Sequence, residues 1–149
     1  MTAWLPWFEW LDAYAPLHPW GPYVWTEVAD PQLLGPEDIE QQMTAGRAVA
    51  TTGPQLLLQH ASGAVPGDTL TDAGHHAWQD TFTVRLRGGA DLDHVALVGT
   101  GGALLAEWVP TSDDVSWTVR VPQGNWVLAA AWDEEGTHLA ATGPIWRDP

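Results

Sequence analysis

Residues 81–87 read Thr-Phe-Thr-Val-Arg-Leu-Arg, with Phe82, Val84 and Leu86 alternating with polar neighbours. A period of two puts those three side chains on one side of an extended chain, the pattern of a strand with one buried face. Residues 115–121, Val-Ser-Trp-Thr-Val-Arg-Val, repeat the alternation. Residues 125–132 are apolar on both sides, with Trp126, Leu128, Ala130 and Trp132 on one and Val127, Ala129 and Ala131 on the other. That segment is expected to be a central strand. Further strands are expected over 49–52, 55–60, 94–98, 104–109 and 137–146, separated by turn residues. About eight strands at this spacing, in a chain of 149 residues, predict one mostly β domain, an antiparallel immunoglobulin-like β-sandwich. Trp117, Trp126, Trp132 and Trp146 fall at positions that alternate inward and are expected in its core, whereas Trp78 and Trp108 are assigned to neither side. Ala50-Thr51-Thr52-Gly53-Pro54 and Ala140-Ala141-Thr142-Gly143-Pro144 echo each other. Proline donates no ladder hydrogen bond, so both segments belong at sheet edges or bulges.

Upstream of the strands, Gly35-Pro36-Glu37-Asp38 opens a helix with proline in its first turn and acids at the positive end of its dipole. Gly46 ends it. This short helix, 36–46, has one modest apolar face and is expected to cover an edge of the sandwich domain, residues 35–149. Residues 1–34 form a distinct Trp/Pro-rich segment, whose first 25 residues hold Trp4, Trp7, Trp10, Trp20 and Trp25 among four prolines. Trp4, Trp7, Phe8 and Leu11 follow the i, i+3, i+4, i+7 spacing of a short aromatic-faced helix. Such a face packs on its own domain or docks on a partner protein; a membrane-surface helix would carry Lys or Arg where this one carries Glu9 and Asp12. Trp4, Trp7, Phe8, Trp10, Leu11 and Trp20 are the candidate partner-binding residues.

Composition removes whole classes of chemistry. The chain has no cysteine, so thiol nucleophiles, disulfides and Cys-bound metals are excluded. It has five basic residues, all arginine, against 19 acidic ones, a net charge of −14. A field of that sign repels phosphate backbones and anionic membranes, so nucleic acid is not an expected partner. Without lysine there is no Schiff-base chemistry and no P-loop lysine. No run of about 18 apolar residues occurs, and the N-terminus lacks the basic flank of a signal peptide. The expectation is a cytoplasmic chain with no membrane span, compatible with peripheral association with a membrane complex, whose partners are other protein subunits.

The remaining polar constellations carry little chemistry. Asp72, His75 and Asp80, with His76, form the weak metal candidate, but adjacent histidines on an extended chain point to opposite sides, and no metal or other cofactor is assigned. Asp91 and Asp93 read as a turn before a strand. Gly99-Thr100-Gly101-Gly102 lacks the third glycine and the helix of a dinucleotide fingerprint and reads as a hairpin turn. Of three serines, Ser62 lies two residues from His60 on a strand end, where the two can touch; no orienting acid or oxyanion donor is evident, and no triad is assigned. Asp113-Asp114 and Glu134-Glu135 fall at hairpin tips. No catalytic residue is assigned. Surface tryptophans on a sandwich leave a sugar-binding platform as an alternative.

The order of helix, Ala45-Gly46-Arg47, strand, Thr52-Gly53-Pro54, strand, Pro66-Gly67-Asp68, several strands and Thr142-Gly143-Pro144-Ile145-Trp146 resembles the C-terminal part of PHP-type metallohydrolases of the CehA/McbA group. The resemblance runs from about Pro36 to Trp146. It implies a sandwich fold following a metal-binding catalytic barrel, but not the activity. The family's ligands lie upstream in H-x-H and related clusters, which this chain lacks, and the residues before 36 are too few for the barrel. Where the family's last ligand motif has Ser-Asp-x-His, this chain has Ala15-Pro16-Leu17-His18. The expectation is a non-catalytic interaction or structural subunit docking through its Trp-rich segment. The alternatives are an accessory half of a split PHP-type phosphoesterase or a carbohydrate- or small-ligand-binding sandwich.

Overall fold

The computed structural model describes residues 2–6, 21–27, 35–71, 79–89 and 92–148. In chain order the elements are β1 (Thr2–Pro6), β2 (Gly21–Glu27), α1 (Pro36–Thr44), β3 (Ala48–Thr51), β4 (Gln55–His60), β5 (Thr69–Leu70), β6 (Gln79–Arg87), β7 (His94–Gly99), β8 (Ala103–Trp108), β9 (Asp114–Pro122), β10 (Trp126–Trp132), β11 (His138–Thr142) and β12 (Ile145–Arg147). They form two sheets, one of three strands in the order β4-β6-β9 and one of nine. The pairings are antiparallel apart from β5 with β12. The mostly β sandwich expected from the alternation is the observed architecture.

The alternation that built the strands also builds the core. Leu56 and Leu58 of β4, Phe82, Val84 and Leu86 of β6 and Val121 of β9 pack with Val49, Val95, Leu97, Val127, Ala129, Ala131, Ala140 and Ile145 of the larger sheet. All are buried. Each large aliphatic or aromatic side chain so enclosed stabilises the fold by about 1.5–3 kcal/mol relative to exposure. β10 is central, as its two apolar faces required: β7 pairs along one of its edges, β11 and β12 along the other. Ala130 pairs with Ala141 and Val127 with Ile145, so three steps along β10 are matched by four along the opposite chain. β11 and β12 are therefore one strand, foreseen as 137–146, interrupted by a bulge at Gly143-Pro144. Its echo, Gly53-Pro54, lies in the link by which the chain leaves β3 for β4 of the smaller sheet.

Three glycine-bearing turns meet at this bulge. The Gly143 amide donates to the Ala48 carbonyl at 2.8 Å, and the Gly67 amide donates to the Pro144 carbonyl at 2.8 Å. A Cβ on Gly143 would stand 2.0 Å from the Gly46 carbonyl oxygen; one on Gly67, whose φ is +91°, would stand 2.0 Å from that of Ala45. Arg47 closes the node with a 2.7 Å hydrogen bond to Asp68, whose other oxygen accepts from the Val65 amide at 3.0 Å. The motifs Ala45-Gly46-Arg47, Gly67-Asp68 and Gly143-Pro144 are thus spatial neighbours; backbone contact demands glycine at 67 and 143, and a φ of +77° favours it at 46.

Several expectations are corrected. Trp4 lies in β1, opposite Trp25 of β2, and not on a helix. Pro6 explains the change, because it restricts the preceding Leu5 to extended backbone. Trp146 is 46% exposed and Trp126 and Trp132 are half-buried on the outer side of the larger sheet; of the four tryptophans expected inside, only Trp117 packs inward against the core. Both faces of β10 are apolar, so its alternation alone could not say which is inside. The smaller set, Val127, Ala129 and Ala131, is the one packed in the core with Leu56 and Leu58. β5 was not expected; two residues carry no periodicity. α1 runs over Pro36–Thr44 beside β2, with the Gly35 amide donating to Asp38 at 2.9 Å and Gly46 at φ +77° just past its end. No helix among the described residues is long and apolar enough to cross a membrane.

Candidate functional site

The outer side of the larger sheet carries a contiguous apolar surface. Leu104 of β8 pairs with Val98 of β7, Val98 with Leu128 of β10, and Trp126 of β10 with Trp146 of β12. The register and the period of two put all five on the side away from the core. Leu104 is 61% exposed and Trp146 46%, with Val98, Trp126 and Leu128 half-buried between them. From β8 to β12 the patch crosses three strand spacings, about 14 Å.

Acidic residues outnumber basic ones around this patch. Arg147 is 11% exposed and paired with Asp80, and Arg47, 40% exposed, is paired with Asp68. Arg85, Arg87 and Arg120 project from the outer face of the smaller sheet, where Arg85 and Arg87 both engage Asp114. These are all the cationic side chains apart from histidine. On the larger sheet's outer side stands Glu107, opposite Ala96, and Asp93, Asp133, Glu134 and Glu135 lie in the turns at the His94–Trp132 end, about 13 Å along β7 from Val98. The Arg85 hydrogen bond, reinforced by the charges of Arg85 and Arg87, holds the Asp114 carboxyl below the ordinary aspartate range against a smaller desolvation effect.

At that acidic end, His94 stacks on Trp132 with centroids 4.8 Å apart and an interplanar angle of 16°, and His138 meets Trp132 edge-on at 4.8 Å. His94 Nδ1 lies 2.8 Å from Asp93 and Nε2 3.7 Å from Glu107. The cluster ties β7, β8, β10 and β11 together. Among the described residues no group of three or more His, Asp or Glu is arranged to hold a metal ion.

A Ser-His-Asp arrangement does occur. His60 Nδ1 is 2.8 Å from the Ser62 hydroxyl, and His60 Nε2 is 3.5 Å from Asp80. The acid was missed in the sequence because it arrives by strand pairing: Phe82 lies opposite His60 across β4 and β6, which sets Asp80 diagonally beside it. The surroundings do not suit acyl transfer, however. Asp80 is ion-paired with Arg147, and the amides of His60, Ala61, Ser62 and Gly63 are each engaged by protein acceptors, leaving none from this turn as an oxyanion donor. The group clamps the β4 turn to the sandwich end. Asp80, the one described member of the weak metal candidate, is committed to this clamp; Asp72 and His75 lie outside the described residues.

Trp108 of β8 and Trp117 of β9 stack at 5.3 Å and 14°, closing the side where the two sheets' edge strands approach. Of the expected partner-binding residues, Trp4 sits on β1, an edge strand of the larger sheet; Trp7, Phe8, Trp10, Leu11 and Trp20 lie outside the described residues. The sequence reading missed Leu104, Trp126 and Trp146 as surface residues, although the apolar character of both faces of β10 was its signal. No protein-family model matches the chain, and no curated protein matches its sequence significantly.

Proposed function

We propose that the chain is a non-catalytic interaction or structural subunit of a larger protein assembly, docking through its Trp-rich N-terminal segment with Trp4, Trp7, Phe8, Trp10, Leu11 and Trp20 as anchors. The observation that carries this reading is the apolar outer side of the larger sheet, because a surface of exposed leucine and tryptophan beside half-buried apolar neighbours is what a protein interface presents. β1 and β2 come from the N-terminal segment and pair into that same sheet through β3, which supports a role for the segment together with this surface. Large aromatics with few rotatable bonds, among prolines, lose little entropy on docking.

The test is purification of the tagged full chain from its native cell with partner stoichiometry quantified by mass spectrometry. A stoichiometric protein partner, lost on Trp7→Ala and Trp10→Ala with the fold intact, is the expected result; a partnerless monomer contradicts the reading. A PHP-type barrel among the partners, with phosphoesterase activity only in the mixture, would replace it by the split-enzyme reading. A second reading rests on Trp126 and Trp146, cross-strand neighbours that offer aromatic surface to a sugar ring. Quenching of tryptophan fluorescence by a glycan panel, lost on Trp146→Ala, would favour it.

A further inference from the structure

We propose that the outer side of the larger sheet, centred on Leu104, Val98, Leu128, Trp126 and Trp146, is itself a docking surface for a different protein whose contact area has an apolar centre and a basic rim. The inference rests on the interaction-subunit reading and adds the surface and the chemistry of the partner. Two features select the occupant. The patch is dominated by aliphatic and indole surface, and its large exposed members are Leu104 and Trp146, so its centre is matched by apolar side chains. Glu107 stands opposite Ala96, two residues along β7 from Val98, the acids of the 93 and 133–135 turns lie farther along the same sheet, Arg47 and Arg147 are each ion-paired with an aspartate, and the other arginines are on the opposite sheet, so the rim is matched by Lys or Arg. A second copy is disfavoured by the same arithmetic, because each chain brings a net charge of −14 and would set carboxylates against carboxylates. A sugar is disfavoured because aliphatic Leu104, Val98 and Leu128 offer it no hydrogen bonds.

The test places the photo-crosslinker benzoyl-phenylalanine at Leu104 in the full chain, in its native cell, with Thr118 on the outer face of the smaller sheet as control. The crosslinked peptides are sequenced by mass spectrometry. The expected result is a heteromeric adduct from position 104, on a peptide whose apolar residues are flanked by Lys or Arg. Its yield should fall at least tenfold with Trp146→Ser and fall as salt is raised in a fresh lysate, with no such adduct from position 118. Circular dichroism of the exposed-site variants checks that folding is kept. Adducts to a second copy, to residues 7–20 of the same chain, to a glycan, equally from position 118, or to no protein at all would overturn the proposal. If a stoichiometric partner co-purifies but depends on Trp7 and Trp10 and not on Leu104 or Trp146, this surface is wrong while the subunit reading stands.

Discussion

Arg147 of β12 and Asp80 of β6 form an ion pair from one sheet to the other, each side chain only 11% exposed. Asp80 also faces His60 Nε2 at 3.5 Å, so the pair ties the end of the larger sheet to β4 and β6. Removing one member of an enclosed pair strands the other's charge. Arg147→Ala is expected to destabilise the fold by about 3 kcal/mol, seen as a lower urea midpoint with an unchanged slope. The double replacement Arg147→Met with Asp80→Leu is expected to cost less than Arg147→Ala alone, because no charge is left behind.

Gly67 and Gly143 hold the node where α1's end, the 66–68 turn and the β11–β12 bulge meet. Because an added Cβ at either would lie 2.0 Å from a backbone carbonyl oxygen, Gly67→Ala and Gly143→Ala are each expected to cost at least about 2 kcal/mol. Gly53→Ala, with nothing within 4 Å of the added atom, is the comparison and should shift thermal unfolding little.

Leu56 and Leu58 are fully buried against the alanine-rich face of β10. Truncating either to alanine is expected to cost about 2–5 kcal/mol, since the two sheets cannot close on the space left. Leu104→Ala removes the same atoms from a site 61% exposed and should change stability by less than about 1 kcal/mol. Chemical denaturation of the three variants reads the contrast directly.

Asp114 titrates below the ordinary aspartate range because Arg85 hydrogen-bonds its carboxylate. A folded-state value lower than the unfolded one adds stability at pH above the unfolded value, lost as pH falls through the folded one. Arg85→Gln should raise the Asp114 midpoint in a carboxyl NMR titration toward the ordinary range, and Arg87→Gln should raise it less. Salt should shrink both effects, since the pair is exposed.

The strands were legible wherever one face is polar. Phe82, Val84 and Leu86 against Thr83, Arg85 and Arg87 determine both the strand and its inner side, and the core contains those residues as expected. In β10 the period of two was equally clear, but with apolar residues on both sides the assignment of inside depends on what the facing sheet leaves room for, a long-range property. Proline's missing donor put Gly143-Pro144 at an edge or a bulge, and a bulge is what forms; Trp4 departs from the expected helical spacing because Pro6 holds Leu5 in extended backbone. The Asp80 contacts with His60 and Arg147 were not legible, because they join residues 20 or more apart in sequence through strand pairing and sheet packing.

Native mass spectrometry of the tagged chain, purified gently from its own cell, asks whether the protein works as a subunit bound to another protein. The expected spectrum holds a species heavier than the 16.2 kDa chain by one stoichiometric heterologous protein, reverting to the free chain when Trp7 and Trp10 are replaced by alanine. A spectrum holding only the monomer would contradict it.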